Sequence, residues 1–197
     1  MSDPKIRYVV VDWALYPPFI PKYAMQAHRL TSGQAAEEFE HFMATRHERV
    51  VALTDFAAQY GVEVDFTNGG IVRLGDWFRT YVAASDDVPG QLENMWYGVA
   101  HDMGVFIAEA LISRYPNLKW RLLKRPKTHI HFQRPVLSGF PGSDLSYDFV
   151  RTVAALGHSD VFGAPEKRIP SDYLIEVFET ACRRAEGEPM DGPAASR

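Results

Sequence analysis

The stretch LENMWYGVAHDMGVFIAEALISRY, residues 92–115, decides the fold. With successive side chains about 100° apart, Trp96, Val99, Met103, Phe106 and Ala110 fill one side of a helix, and Tyr97, Ala100, Gly104, Ala108 and Leu111 fill the next. A helix apolar nearly all round belongs in the interior. The exceptions share one narrow stripe, because Asp102 and Glu109 are seven residues apart and fall within about 20° of each other. The small residues Ala100, Gly104 and Ala108, at steps of four, leave a groove into which a second backbone can settle.

The rest of the chain supplies partners for this helix. Thr31 or Ser32 caps a long helix whose apolar stripe reads Phe39, Met43, Val50, Leu53, Ala57 and Tyr60, with Gly61 at its end. Thr67 or Asn68 caps another, about Ile71 to Ala84, presenting Ile71, Leu74, Trp77, Phe78 and Tyr81. Ser143 or Asp144 opens a fourth, closed by Gly157, and Ser171 caps a last one carrying Leu174, Phe178, Ala181 and Cys182 inward. Four stretches read as extended: Ile6 to Leu15, Leu118 to Leu123, Thr128 to Phe132 and Pro135 to Phe140. The proline-rich segment 16–30 carries Phe19, Ile20 and Tyr23 and reads as an ordered arm over the core. These elements predict an α+β fold of about five helices around helix 92–115, with a small antiparallel sheet. One globular domain spans residues 1–186, and the polar tail 187–197 has the composition of a disordered segment.

Composition narrows the function classes. With 46% hydrophobic residues the chain can bury a sizeable core, and Cys182 is its only cysteine, so no internal disulfide forms and a cytoplasmic setting is expected. No secretory leader pattern and no membrane-spanning apolar run are present, since Asp12, His101, Asp102 and Glu109 interrupt the candidates. The net charge of −4 hides a segregation: residues 110–143 hold seven Lys or Arg and no acid, while residues 1–109 hold fifteen acids against eight bases.

Three motif groups resemble a group of uncharacterised bacterial proteins: AAEEFEHFMATRHERVVAL (35–53) followed by GIVRLGDWF (70–78), GVAHDMGVFIAEALISRYPNLKW (98–120), and a basic strand leading to RPVLSGF (134–140). In that pattern a glycine, an aromatic and an acid recur on one helix, here Gly104, Phe106 and Glu109. The resemblance spans roughly residues 31–140 and implies a shared fold with no activity attached.

Candidate chemistry falls in three places. His129 and His131, two apart on an extended stretch, would point the same way and reach one divalent metal, with His101, Asp102, Glu109 or His158 as a third ligand. Asp102 and Glu109 require cationic partners if buried, and Arg121, Arg125 or Arg134 from the following strands are placed to provide them. The basic segment 114–134, interleaved with Trp120 and Phe132, has the makings of a nucleic-acid face, against which the acidic pI of 6.0 argues. No GxSxG elbow, HExxH, P-loop or GxGxxG occurs. The leading expectation is therefore a small non-catalytic binding domain whose partner is a protein or a small molecule, with room for a homodimer. A metal-dependent hydrolase using His129 and His131 is the first alternative, and nucleic-acid binding through residues 114–134 the second.

Overall fold

The computed structural model describes residues 11–124, 126–142 and 144–188. Its helices are α1 (Ser32–Gln59), α2 (Asn68–Tyr81), α3 (Asn94–Arg114), α4 (Phe149–Phe162) and α5 (Tyr173–Ala185), joined by strands β1 (Lys119–Leu122), β2 (Pro135–Ser138) and β3 (Ser146–Tyr147). The fold is α+β, and the sheet is antiparallel in the order β1-β2-β3. Trp120 pairs with Leu137 and Arg121 with Val136 across the first ladder, and Leu137 pairs with Tyr147 across the second.

Helix α3 is the core. Every residue from Asp102 through Leu111 is buried, and α4, α1 and α5 pack around it. The small-residue groove is occupied as its spacing predicts. A Cβ on Gly104 would lie 2.5 Å from the Val150 amide nitrogen and 2.6 Å from its Cα, so the first turn of α4 sits directly on the α3 backbone. Only glycine permits that approach.

The long helix begins where its capping chemistry places it. Thr31 accepts from the Gln34 amide while the Gln34 side chain accepts from the Thr31 amide, a reciprocal box. Its buried face is rotated from the expected stripe. Ala35, Phe42, Arg49, Leu53, Phe56 and Ala57 are buried, whereas Phe39, Met43, Val50 and Tyr60 are only partly so. Arg49 lies on the inner line, which an apolar count assigns to solvent.

Four further expectations are corrected. Val11 to Leu15 form no strand; Trp13–Leu15 is a turn of 3-10 helix with Asp12 accepting from the Ala14 amide, and residues 6–10 lie outside the described residues. Thr128 to Phe132 is a run of turns, because His129, Phe132 and Arg134 donate backbone bonds to residues three earlier at 2.8, 2.9 and 3.1 Å. Helix α4 starts after Asp148, which accepts from the Arg151 amide at 3.0 Å, and runs past Gly157 to Phe162. Gly157 is an interior glycine that makes room for Phe78 and Leu92. Residue Asp172, not Ser171, precedes α5, and no side chain caps that helix. Ser143 and the tail from residue 189 lie outside the described residues.

The arm does lie over the core. Tyr16 is 2% exposed, and Gln133, which sits in the left-handed region at φ 58°, donates to the Ala27 and Leu30 carbonyls at 2.9 Å each. Among the described residues no helix is long and apolar enough to cross a membrane.

Candidate functional site

Both carboxylates of the α3 stripe are buried, and α1 neutralises them. Asp102 receives the Arg49 guanidinium, with Nε 3.0 Å from Oδ1, and also the Tyr16 hydroxyl and the His101 imidazole, whose Nδ1 is 3.0 Å from Oδ1. Glu109 accepts from Trp120 Nε1 at 2.7 Å and Arg46 Nε at 3.2 Å. The expected partners from the later strands do not reach them. Arg121 is exposed beside Lys124 and Glu40, Arg134 lies 4.0 Å from Asp148, and Arg125 lies outside the described residues. Arg46 and Arg49 are the residues that sequence reading missed. The available signal was heptad spacing, because Ala35, Phe42, Arg49 and Phe56 recur every seven residues, which keeps one face in register.

The Arg49, Asp102 and Tyr16 cluster is held by mutual compensation. Burial pushes the Tyr16 hydroxyl far above the ordinary tyrosine range, and the adjacent Asp102 charge adds to the shift. Burial opposes the Arg49 charge, yet the Asp102 contact outweighs it and raises the guanidinium's affinity for its proton. Arg49 also stands 5.4 Å from the centre of the Tyr16 ring. The result is a buried ion pair that joins the arm, α1 and α3 to one another.

His129 and His131 do come close, with ring centres 5.4 Å apart, but through a turn instead of a shared strand face. Their ring nitrogens have other contacts: His129 Nδ1 lies 3.2 Å from the His131 amide, and His131 Nδ1 lies 3.1 Å from Asp148 Oδ2. Among the described residues no group of three or more His, Cys, Asp or Glu is arranged to hold a metal ion.

The arrangement with chemical potential is a cleft of about 730 Å³ between α3, α4 and the arm. Two helical faces build it. Asn94, Tyr97, Gly98 and His101 stand at steps of three and four on α3, and Arg151, Ala154, Ala155 and His158 repeat the same steps on α4. Pro18, Phe19 and Pro21 of the arm close one side, and Arg134 enters from the segment before β2. Phe19 stacks on His101 with ring centres 4.2 Å apart and planes 11° from parallel. Tyr97 Oη lies 2.9 Å from His158 Nε2. Two arginines and two histidines thus face one cleft whose described lining contains no carboxylate. Asp148, the acid near Arg134, is 5% exposed and already caps α4.

No family model, no curated protein and no solved structure matches the chain.

Proposed function

We propose that this protein is a small binding domain whose ligand is an organic anion held in the α3–α4 cleft. The observation that carries the reading is the composition of the wall: the cations Arg134 and Arg151, with the hydrogen-bonding His101 and His158 beside them and no acid among its described lining residues. In a partly desolvated concavity such a wall focuses positive potential and favours anions over neutral molecules of equal shape. Pro18, Phe19, Met95 and Ala154 provide apolar surface for the body of the ligand. The cleft volume lies within the roughly 300–1,000 Å³ typical of small-molecule sites.

Benzoate and its neutral counterpart benzamide test the reading. Benzoate at millimolar concentration is expected to raise the melting temperature, since a ligand that binds only the native state stabilises it by mass action. Benzamide is expected to have a much smaller effect, and the double variant Arg134→Gln, Arg151→Gln should lose the benzoate shift. Equal shifts with both compounds, or a benzoate shift that survives the double variant, would remove the cleft from consideration.

A further inference from the structure

Building on the organic-anion reading, we infer that the cleft is made for a small phosphate monoester with a flat apolar ester group. Three features of the wall favour a phosphate over a carboxylate.

The first is the number of nitrogen-bearing groups. Arg134, Arg151, His101 and His158 reach the cleft from three separate parts of the fold. A carboxylate offers two oxygens in one plane. A phosphate monoester offers three terminal oxygens spread in space, so more of these side chains can be satisfied at once, and arginine forks match phosphate geometry well.

The second is the fixed tautomer of His101. Its Nδ1 faces the buried Asp102 carboxylate at 3.0 Å, and that carboxylate is paired with the Arg49 guanidinium. The proton therefore sits on Nδ1, and in the neutral ring Nε2 keeps its lone pair. A carboxylate would meet that nitrogen lone pair to lone pair. A phosphate monoester, whose second ionisation lies at about pH 6, can carry a hydrogen on one terminal oxygen and donate it to Nε2, which a carboxylate cannot do. His158 is held in place through its Nε2, 2.9 Å from the Tyr97 hydroxyl, which also accepts from the Leu92 amide at 3.3 Å.

The third is the space left over. A phosphate group alone occupies a small part of a cleft of about 730 Å³, and apart from Asn94 and the Tyr97 hydroxyl the remaining wall is apolar. The Phe19 ring, already stacked on His101, offers an aromatic surface beside the phosphate position.

Calorimetric titration of the full chain at pH 7 with phenyl phosphate, inorganic phosphate and benzoate tests the inference. Phenyl phosphate is expected to bind at least about tenfold more tightly than either of the others, a difference of about 1.4 kcal/mol. Arg151→Gln, an exposed position that threatens no core contact, should weaken phenyl phosphate by about tenfold or more. His101→Gln should weaken phenyl phosphate while leaving benzoate within about twofold. Benzoate binding as tightly as phenyl phosphate would overturn the phosphate inference and leave the organic-anion reading standing. Inorganic phosphate binding as tightly as phenyl phosphate would overturn the assignment of an ester group. Binding of none of the three probes would overturn both readings.

Discussion

Replacing Arg49 by Met is the sharpest test of how this fold is held together. The Asp102 side chain is fully buried and that of Arg49 is 8% exposed, so the substitution leaves a carboxylate in the interior without its counter-charge. Breaking a buried pair from one side costs about 3–5 kcal/mol. Tyr16 and His101 still bond to Asp102, which argues for the lower end, about 3 kcal/mol. For a chain of 197 residues that corresponds to a fall in melting temperature of about 6–12 °C. Urea unfolding followed by tryptophan fluorescence measures it, and an unchanged denaturant slope shows that the loss is in stability alone. The companion variant Arg49→Met, Asp102→Asn removes the stranded charge while keeping polar atoms for Tyr16 and His101. It should be more stable than Arg49→Met by at least about 1 kcal/mol. A loss below about 1 kcal/mol in the single variant, or a double variant no more stable than the single, would refute the claim that Asp102 is a charged group dependent on Arg49.

Two further outcomes follow from other contacts. Gly104→Ala places a methyl group 2.5 Å from the Val150 amide nitrogen, where only a backbone shift can make room; about 1–3 kcal/mol should be lost, and displacement of α4 should also weaken benzoate binding in the cleft, measured by thermal shift. Burial raises the Cys182 thiol above its ordinary range, despite the opposing contacts from Tyr115 and Arg114. Because the thiolate is the reactive form, iodoacetamide should modify Cys182 more slowly than free cysteine at pH 8, and the rate should keep climbing as pH rises further; equal rates at pH 8 would contradict this environment.

The periodicities carried much of the architecture. Residues 92–115 announce a buried helix because no face of it is polar enough to meet water, and Gly104 announces a close helix crossing because the neighbouring small residues recur at steps of four. The capping signals at Thr31 and Thr67 rest on local hydrogen bonds and mark the starts of α1 and α2, although α2 runs Asn68–Tyr81, three residues earlier at each end than the expected 71–84. The alternation in residues 118–123 marks β1 for the same reason, since strand burial has period two. Where these rules misled, the deciding contacts were distant ones. Gly157 reads as a helix end in isolation, yet it is an interior position because Phe78 and Leu92 arrive beside it. Thr128 to Phe132 alternates like a strand, but the chain must fold back for β2 to pair with β1, and turns take its place.

The candidate site divides along the same line. The residue types were visible in the chain, and so were the steps of three and four that align Asn94, Tyr97, Gly98 and His101 on one helix face and Arg151, Ala154, Ala155 and His158 on another. Nothing local states that these two faces oppose each other, or that the arm carrying Phe19 closes over them. That follows from the seating of α4 on Gly104 and the pinning of Tyr16 by Asp102. Nor does charge pattern alone choose Arg46 and Arg49 over Arg121 and Arg134 as partners for the buried acids. Sequence determines which surfaces each element must hide, because burial and capping act over a few residues. The tertiary structure decides which charges meet, because ion pairing depends on distance in space, and here those distances are set by how α1, α4 and the arm pack on α3.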